Sequence, residues 1–409
     1  MTLQVRTRPI TAEELGLSEA FSLTDLLGSN SSAFIHQNQG LIGWGEALRL
    51  EASGANRITE LDAKWRELVQ SAEISDPLNL PGSGLIAFGS IAFSDLSSTQ
   101  SVLIIPKLII GLSGTNLWLT TINCEEAEGL GLIKSNPSKT PVVFESGSIS
   151  PEQFVSNVER ALEEIAMAKI EKVVLARDLV AEVNPTFNIN PAVSSLAKKF
   201  DSCFTYSVDG LFGASPELLV KVSASQVSAR VLAGTAGRGT DPGVDQAIGQ
   251  ALFDSPKNRA EHKFAIDSLV SALEELCVEI DVDSEPFSIS LPNLWHLASD
   301  VHAVLKSDSS SLQVVKALHP SAAVAGTPKQ LAIDTIQRIE GTDRGRYAGP
   351  VGWLGADGDG VWAIALRGAQ LANGTLRAFA GCGIVSGSDP EAELAETVLK
   401  FKPIVEALS

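Results

Sequence analysis

Apolar and polar positions change their period several times along the chain. Three short runs rich in β-branched and aromatic residues open it: LIGWGEALRL at 41–50, GLIAFGSIAF at 84–93 and VLIIPKLII at 102–110. Stretches holding Gly, Pro and Ser separate them, and their alternation predicts strands of an antiparallel sheet. Between the first two, DAKWRELVQSA at 62–72 reads as a helix. Residues 150–169 predict another. Ser150 caps it, Pro151 fits the first helical position and Glu152 complements the helix dipole. Val155, Val158, Leu162 and Ile165 then form one apolar stripe.

From Lys172 the pattern KVVLARDLV predicts a strand, PAVSSLAKKF at 191–200 a helix, and FTYSV, LLVKVSA and QVSARVLAG further strands. A long helical pattern covers 258–279. GVWAIALRGAQLANGTLRAFAGCGIV at 360–385 reads as two strands around an Asn-Gly turn. A last helix spans roughly 390–408, opened by Ser388, Asp389 and Pro390. No linker divides the chain, and the N-terminal strands alone would leave sheet edges exposed. A single α+β domain over 1–409 is therefore expected.

Composition narrows the function. With 44% hydrophobic and 20% charged residues, the chain has the makings of a packed core. Its net charge of −18 repels nucleic acid and anionic membrane surfaces, so neither is an expected partner. The longest apolar runs are broken by Lys or Pro and fall short of a membrane span, and the N-terminus lacks the apolar core of a signal peptide. Cys124, Cys203, Cys277 and Cys382 are far apart, without metal-ligand or redox spacing. A soluble cytoplasmic protein with reduced cysteines is expected. An anionic substrate would need local cations to overcome the global sign.

Several side chains stand in distinctive settings. Glu393 and Glu396 share one side of the last helix, in EAELAETVLK, and Glu261 lies in the helical NRAEHK. They are either solvated helix acids or, if the helices meet, hard oxygen donors of the kind Mg²⁺ prefers. Lys172 opens a strand: it is a solvent-facing edge residue or, if buried among other cations, a base. Glu217 in GASPELLV is a turn acid or a proton donor in a partly dry cleft. AGTAGRG at 233–239, with Arg238, and AGCGIVSGSDP at 380–390 are Gly-rich segments that serve tight turns or bring backbone N–H groups to an anion. They lack the P-loop and dinucleotide spacings. Arg367, in the middle of the strand AIALRGA, needs an ion pair or a substrate carboxylate. His296 and His319 form no HExxH-type zinc site.

These segments, taken in order, resemble the chorismate-utilising enzymes, and within them the isochorismate synthases. The motifs are KVVLAR at 172–177, FGASPELL at 212–219, LAGTAGRG at 232–239, SPKNRAEHKFAID at 255–267, WHLASD at 295–300, LHPSAAVAGTP at 318–328, DRGRYAGPVGW at 343–353, IALRGA at 364–369 and AGCGIVSGSDPEAELAE at 380–396. They cover 150–409, and the resemblance continues more loosely into a more variable part, 1–149. It implies one large α+β fold with antiparallel sheets surrounded by helices. It further implies Mg²⁺ on Glu261 and Glu396 with Glu393 nearby, and substrate carboxylates held by Arg367, Tyr347, Gly383 and the amides after it. Gly234, Thr235, His296, Ser299 and Ala322 would line the substrate pocket, and Lys400 would balance the acidic cluster. Lys172 resembles the base that activates water, and Glu217 the acid that assists departure of the C4 hydroxyl of chorismate. A monomer is expected, with no amidotransferase subunit. The alternatives are a salicylate synthase, an amine-adding synthase, against which Lys172 argues, and a non-catalytic chorismate-binding protein.

Overall fold

Two large sheets lie against each other, and the chain repeatedly steps from one to the other. The computed structural model describes residues 2–18, 20–28, 31–126, 130, 140–239, 241–290 and 294–409; for Thr235, Lys257, Glu261 and Leu294 it describes the backbone alone. Among the described residues the first sheet has thirteen strands. Its site-bearing end places Lys172–Glu182 beside Thr375–Val385, then Gly368–Ala372, Leu211–Ser215 and Phe204–Val208. The second has ten, including Leu294–Leu305, Gln226–Gly237, Leu218–Ser223, Gly360–Ile364 and Pro350–Gly355 in that order. Pairing is not purely antiparallel: Gln4–Pro9 runs parallel to Glu73–Ser75. The sheets are therefore mixed.

Two of the three apolar runs of the N-terminal part are each cut in two by such a step. Gln39–Trp44 belongs to the first sheet and Leu48–Ala52 to the second. Ser101–Ile105 belongs to the second and Leu108–Ser113 to the first, with Pro106 and Lys107 between them. Proline has no N–H for a ladder, which ends the first strand there. Phe88, Leu103, Tyr206, Val220 and Trp362 are among the side chains filling the space between the sheets. Gly89 makes room for Trp362, since a Cβ at that position would lie 2.3 Å from the indole. A second core, with Trp44, Phe212, Leu376 and Phe401, lies on the other face of the first sheet, under the helices Asn190–Lys199 and Pro390–Leu408.

The helix expected at 150–169 is Pro151–Ala166, and Ser150 caps it by accepting from the Gln153 amide. Its fully buried face is Phe154, Asn157, Val158 and Ala161, while Val155, Leu162 and Ile165 flank it half-buried. The expected helix 258–279 is shorter at its C-terminal end: Pro256–Leu273 is helical and Cys277–Val282 is an edge strand of the second sheet. Pairing with Leu294–Leu305 overrides helix propensity there. Residues 360–385 form three strands instead of two. The Asn373-Gly374 turn is present, with φ of 51° and 79°, but Gly360–Ile364 belongs to the other sheet.

Candidate active site

Two of the steps between sheets carry functional side chains. Leu211–Ser215 ends in the first sheet, Leu218–Ser223 begins in the second, and Glu217 lies between them. Gly360–Ile364 ends in the second sheet, Gly368–Ala372 begins in the first, and Arg367 lies between them. Arg367 is thus not mid-strand as its apolar neighbours suggest. It occupies the break with φ +53°, a left-handed conformation that costs a non-glycine residue about 1–2 kcal/mol. The hydroxyl of Tyr206 fixes this turn by donating to the Leu366 carbonyl at 2.9 Å. Its ring packs where Gly213 and Gly368 lack side chains: a Cβ on either would lie 2.4 Å from the Tyr206 oxygen.

Lys172 starts the strand Lys172–Glu182, in register with Val385 of Thr375–Val385. Its side chain therefore leans diagonally across Gly383. A Cβ at Gly383 would lie 2.9 Å from the lysine Cε, so the absence of a side chain there gives the lysine its path. Glu217 is half-buried, and desolvation pushes its carboxyl above the ordinary carboxylate range, against the opposing charges of Lys172, Arg367 and Lys400. Such a carboxyl keeps its proton to higher pH and is suited to donate it. The same lysine acts on His296, whose imidazole is held below its usual range by burial first and by Lys172 second, against a bond to the Gly234 backbone. Both effects favour the neutral imidazole of His296. Tyr347 stacks on Phe379 with centroids 5.0 Å apart, and burial raises its phenol to about 12 against the charges of Arg344 and Arg367.

The last helix, Pro390–Leu408, brings the acids. Asp389 caps it by accepting from the Ala392 amide. Glu393 accepts from the Ser388 hydroxyl at 2.7 Å, and its carbonyl receives the buried Cys382 thiol at 3.7 Å. Glu396 pairs with Lys400 at 2.5 Å, and Lys400 also donates to the Gly381 carbonyl at 2.8 Å. Among the described residues no three His, Cys, Asp or Glu side chains converge as a metal centre. Glu393 and Glu396 nevertheless offer hard carboxylate oxygens on one helix face, one turn apart, which fits Mg²⁺. The backbone of Glu261 is in the helix Pro256–Leu273, and its side chain lies outside the described residues.

Lys172, Glu217, His296, Tyr347, Arg367, Gly383, Glu393, Glu396 and Lys400 are thus joined by contact, register or mutual charge. Other expected residues are placed differently. AGTAGRG ends the strand Gln226–Gly237, with a register shift between Ala233 and Thr235 and Gly234 at φ +76°. Gly234 supplies that bulge, and the side chain of Thr235 lies outside the described residues. Arg238 is tied to Asp245 through a 2.7 Å bond from Nε. Gly381 and Gly383 lie within the strand Thr375–Val385, in the segment expected to be strand. Ser299 is fully buried, and its hydroxyl lies 3.0 Å from His262 Nε2. Ala322 is exposed. His319 is buried with Nε2 on the Phe93 carbonyl at 3.0 Å, a structural role.

The chorismate binding enzyme family matches residues 17–409. The chain belongs to that family. It is 31% identical to the salicylate biosynthesis isochorismate synthase of Pseudomonas aeruginosa over 400 residues, covering 90% of this chain and 82% of the relative. It is also 31% identical to the isochorismate synthase DhbC of Bacillus subtilis over 370 residues, covering 88% of each. The solved structure of MenF, the menaquinone-specific isochorismate synthase from Escherichia coli, superposes with a TM-score of 0.79, at 24% identity over 100% of this chain and 95% of that one. The fold is that of the chorismate-utilising enzymes.

For a member of this family, three further residues matter that motif reading passed over. Tyr206, one of the chain's two tyrosines, fixes the Arg367 turn. The scarcity of tyrosine was the one available signal. Arg177 and His262 are buried and bond across elements, which no local pattern announces. A cavity of about 250 Å³ is lined by Tyr206, Tyr347, Phe379, Gln370 and Arg377 among others. Lys172, Glu217 and Arg367 are not in its wall, so it is not where acid and base face each other. No described helix is long and apolar enough to cross a membrane.

Proposed function

We propose that this chain is an isochorismate synthase, converting chorismate to isochorismate. The observation that carries the reading is the half-buried Glu217, its carboxyl biased toward the protonated form and facing the charge of Lys172. Isochorismate synthases 31% identical over most of both chains support the reaction class.

The chemistry is an exchange of hydroxyl positions. Water adds to C2 of chorismate, and Lys172, acting as base, takes a proton from it. The ring double bond shifts as the C4–O bond breaks. Glu217 gives its proton to the departing oxygen, which leaves as water. One water enters and one leaves, so the product is an isomer of the substrate. A proton then returns from the Lys172 ammonium to the Glu217 carboxylate through solvent. General acid–base catalysis of this kind contributes roughly 10²–10⁴-fold, and placement supplies much of the rest. Arg367 and Tyr347 would bind the substrate carboxylates together with Gly383 and the amides after it, with His296 and the bulge at Gly234 and Thr235 against the ring. Ser299 would act through His262, whose Nε2 lies 3.0 Å from its hydroxyl.

Magnesium would be held by Glu261, Glu393 and Glu396, neutralising the ring carboxylate in an otherwise acidic protein. Lys400, already bonded to Glu396, would balance the acids before the cation binds. The reaction needs no amidotransferase subunit, and the catalytic groups come from one chain.

The test is product analysis with the purified chain, chorismate and Mg²⁺. Isochorismate as the sole chorismate-derived product supports the proposal. Salicylate with pyruvate would assign the second elimination step to this pocket, and an ammonia-dependent amino product or no turnover would overturn the reading.

A further inference from the structure

The residue after each of two candidate magnesium ligands turns into the protein and makes a buried polar bond. His262 follows Glu261. Its ring is buried, with Nδ1 3.2 Å from the Ala233 carbonyl and Nε2 3.0 Å from Ser299 Oγ. A carbonyl only accepts, so Nδ1 carries the proton and Nε2 accepts from the Ser299 hydroxyl. The helix Pro256–Leu273 is thereby bonded to both Gln226–Gly237 and Leu294–Leu305. Thr397 follows Glu396 and is fully buried. Its hydroxyl accepts from Arg177 Nε at 2.7 Å and donates to the Leu394 carbonyl at 2.7 Å. Arg177 is itself buried, with its guanidinium 5.0 Å from the centre of the Phe401 ring. It lies on the strand that opens with Lys172.

These bonds stand where apolar packing leaves rotation loosely defined. Phe264 on the first helix is 65% exposed, and Val398 and Leu399 on the second are 50% and 53% exposed. Apolar contact is non-directional, so a helix with apolar residues on several faces is not fixed about its axis by burial alone. A hydrogen bond is directional. Successive residues are about 100° apart around a helix of 3.6 residues per turn. A bond that pins one residue therefore also sets the direction in which its predecessor points.

We infer that the His262–Ser299 and Arg177–Thr397 bonds are positioning devices that set the rotation of the two carboxylate-bearing helices for one divalent cation. The inference rests on the magnesium reading above. It makes His262, Ser299, Arg177 and Thr397 positioning residues that touch neither substrate nor metal. Arg177 further links the metal-bearing helix to the strand of the proposed base, so both parts share one frame.

Manganese binding, followed by the electron paramagnetic resonance of free Mn²⁺ without chorismate, tests this independently of turnover. Thr397→Val and Ser299→Ala should each weaken Mn²⁺ binding by about 10–100-fold, the range typical when groups supporting metal ligands are removed. Thr397→Ser, which keeps the hydroxyl, should restore it. In turnover assays the same variants should raise the Mg²⁺ concentration for half-maximal rate far more than they lower kcat at saturating Mg²⁺. Circular dichroism establishes which variants fold; should Thr397→Val fail, Ser299→Ala carries the test from the other helix. Folded variants that bind Mn²⁺ as tightly as the parent, or that lose kcat with unchanged metal affinity, would overturn the inference. A parent chain that binds no Mn²⁺ would remove the metal reading itself.

Discussion

The main-chain carbonyl of Glu217 accepts the amide of Ile364 at 3.0 Å. This bond ties together the two places where the chain leaves one sheet for the other, one bearing Glu217 and the other leading to Arg367. A ladder residue alternates between faces, whereas a residue at such a step is free of that constraint. The acid and the arginine consequently enter one region from opposite sheets. The Lys172 side chain reaches the same region across Gly383.

Lys172→Ala should lower the rate of isochorismate formation by about 10²–10⁴-fold, the range for removing one general base. Magnesium-dependent chorismate binding should largely survive. Steady-state rates combined with calorimetric titration of chorismate separate the two effects. Turnover near the parent level would reject Lys172 as the base.

Glu217 predicts a particular dependence of stability on pH. Burial raises its pKa above the ordinary 4.5. Between those values the unfolded chain has released its proton while the folded chain retains it. The folded state then binds more protons, so stability falls as pH rises through this window. Glu217→Gln has no proton to lose and escapes that decline. Urea denaturation should therefore show the variant gaining on the parent as pH rises from below 4.5 to neutral. A pH-independent difference would mean that burial does not hold this proton.

Gly383→Ala should impair catalysis with little loss of stability. The added methyl meets the flexible end of Lys172, which can shift, instead of meeting backbone. Displaced, the lysine no longer approaches the ring as before. The expected result is a fall in kcat at least tenfold with a melting temperature close to the parent. An unchanged kcat would show that the lysine's path over Gly383 is not required.

Arg344 and Glu340 form a bidentate ion pair that is almost wholly buried, with Nε 2.9 Å from Oε2. Glu340 also accepts the Ala176 amide, and Arg344 donates to the Val174 carbonyl, so the pair braces the strand of Lys172. Glu340→Ala would leave an uncompensated buried charge and should cost about 3–5 kcal/mol. Chemical denaturation measures this directly. A cost below about 1 kcal/mol would mean that water or another group reaches Arg344.

Ordered motifs made the family legible from Lys172 to Glu396, because local residue types are preserved in a chain regardless of its path through space. Helix ends were legible where a cap is local, as at Ser150 and Asp389. The steps between sheets were not, because the apolar run around Arg367 reads the same whether the chain continues straight or crosses. Only packing against both sheets decides that, and it moved Arg367 out of a strand into a left-handed turn. The Gly-rich segments left their role open for a related reason. Glycine marks close approach but does not say of what, and Gly383 proved to make way for a lysine from a strand more than two hundred positions earlier.

The sequence by itself determined the alternation of strands and helices, the excess of negative charge and the reactive side chains present, all of which depend on residues near one another in the chain. Tertiary structure alone decided that Glu217 is held toward its protonated form, that Lys172 faces it, and that His262 and Thr397 turn inward beside the helix carboxylates. Desolvation, Coulomb interaction and hydrogen bonding act through space. Their partners here come from segments that only the folded sheets bring together.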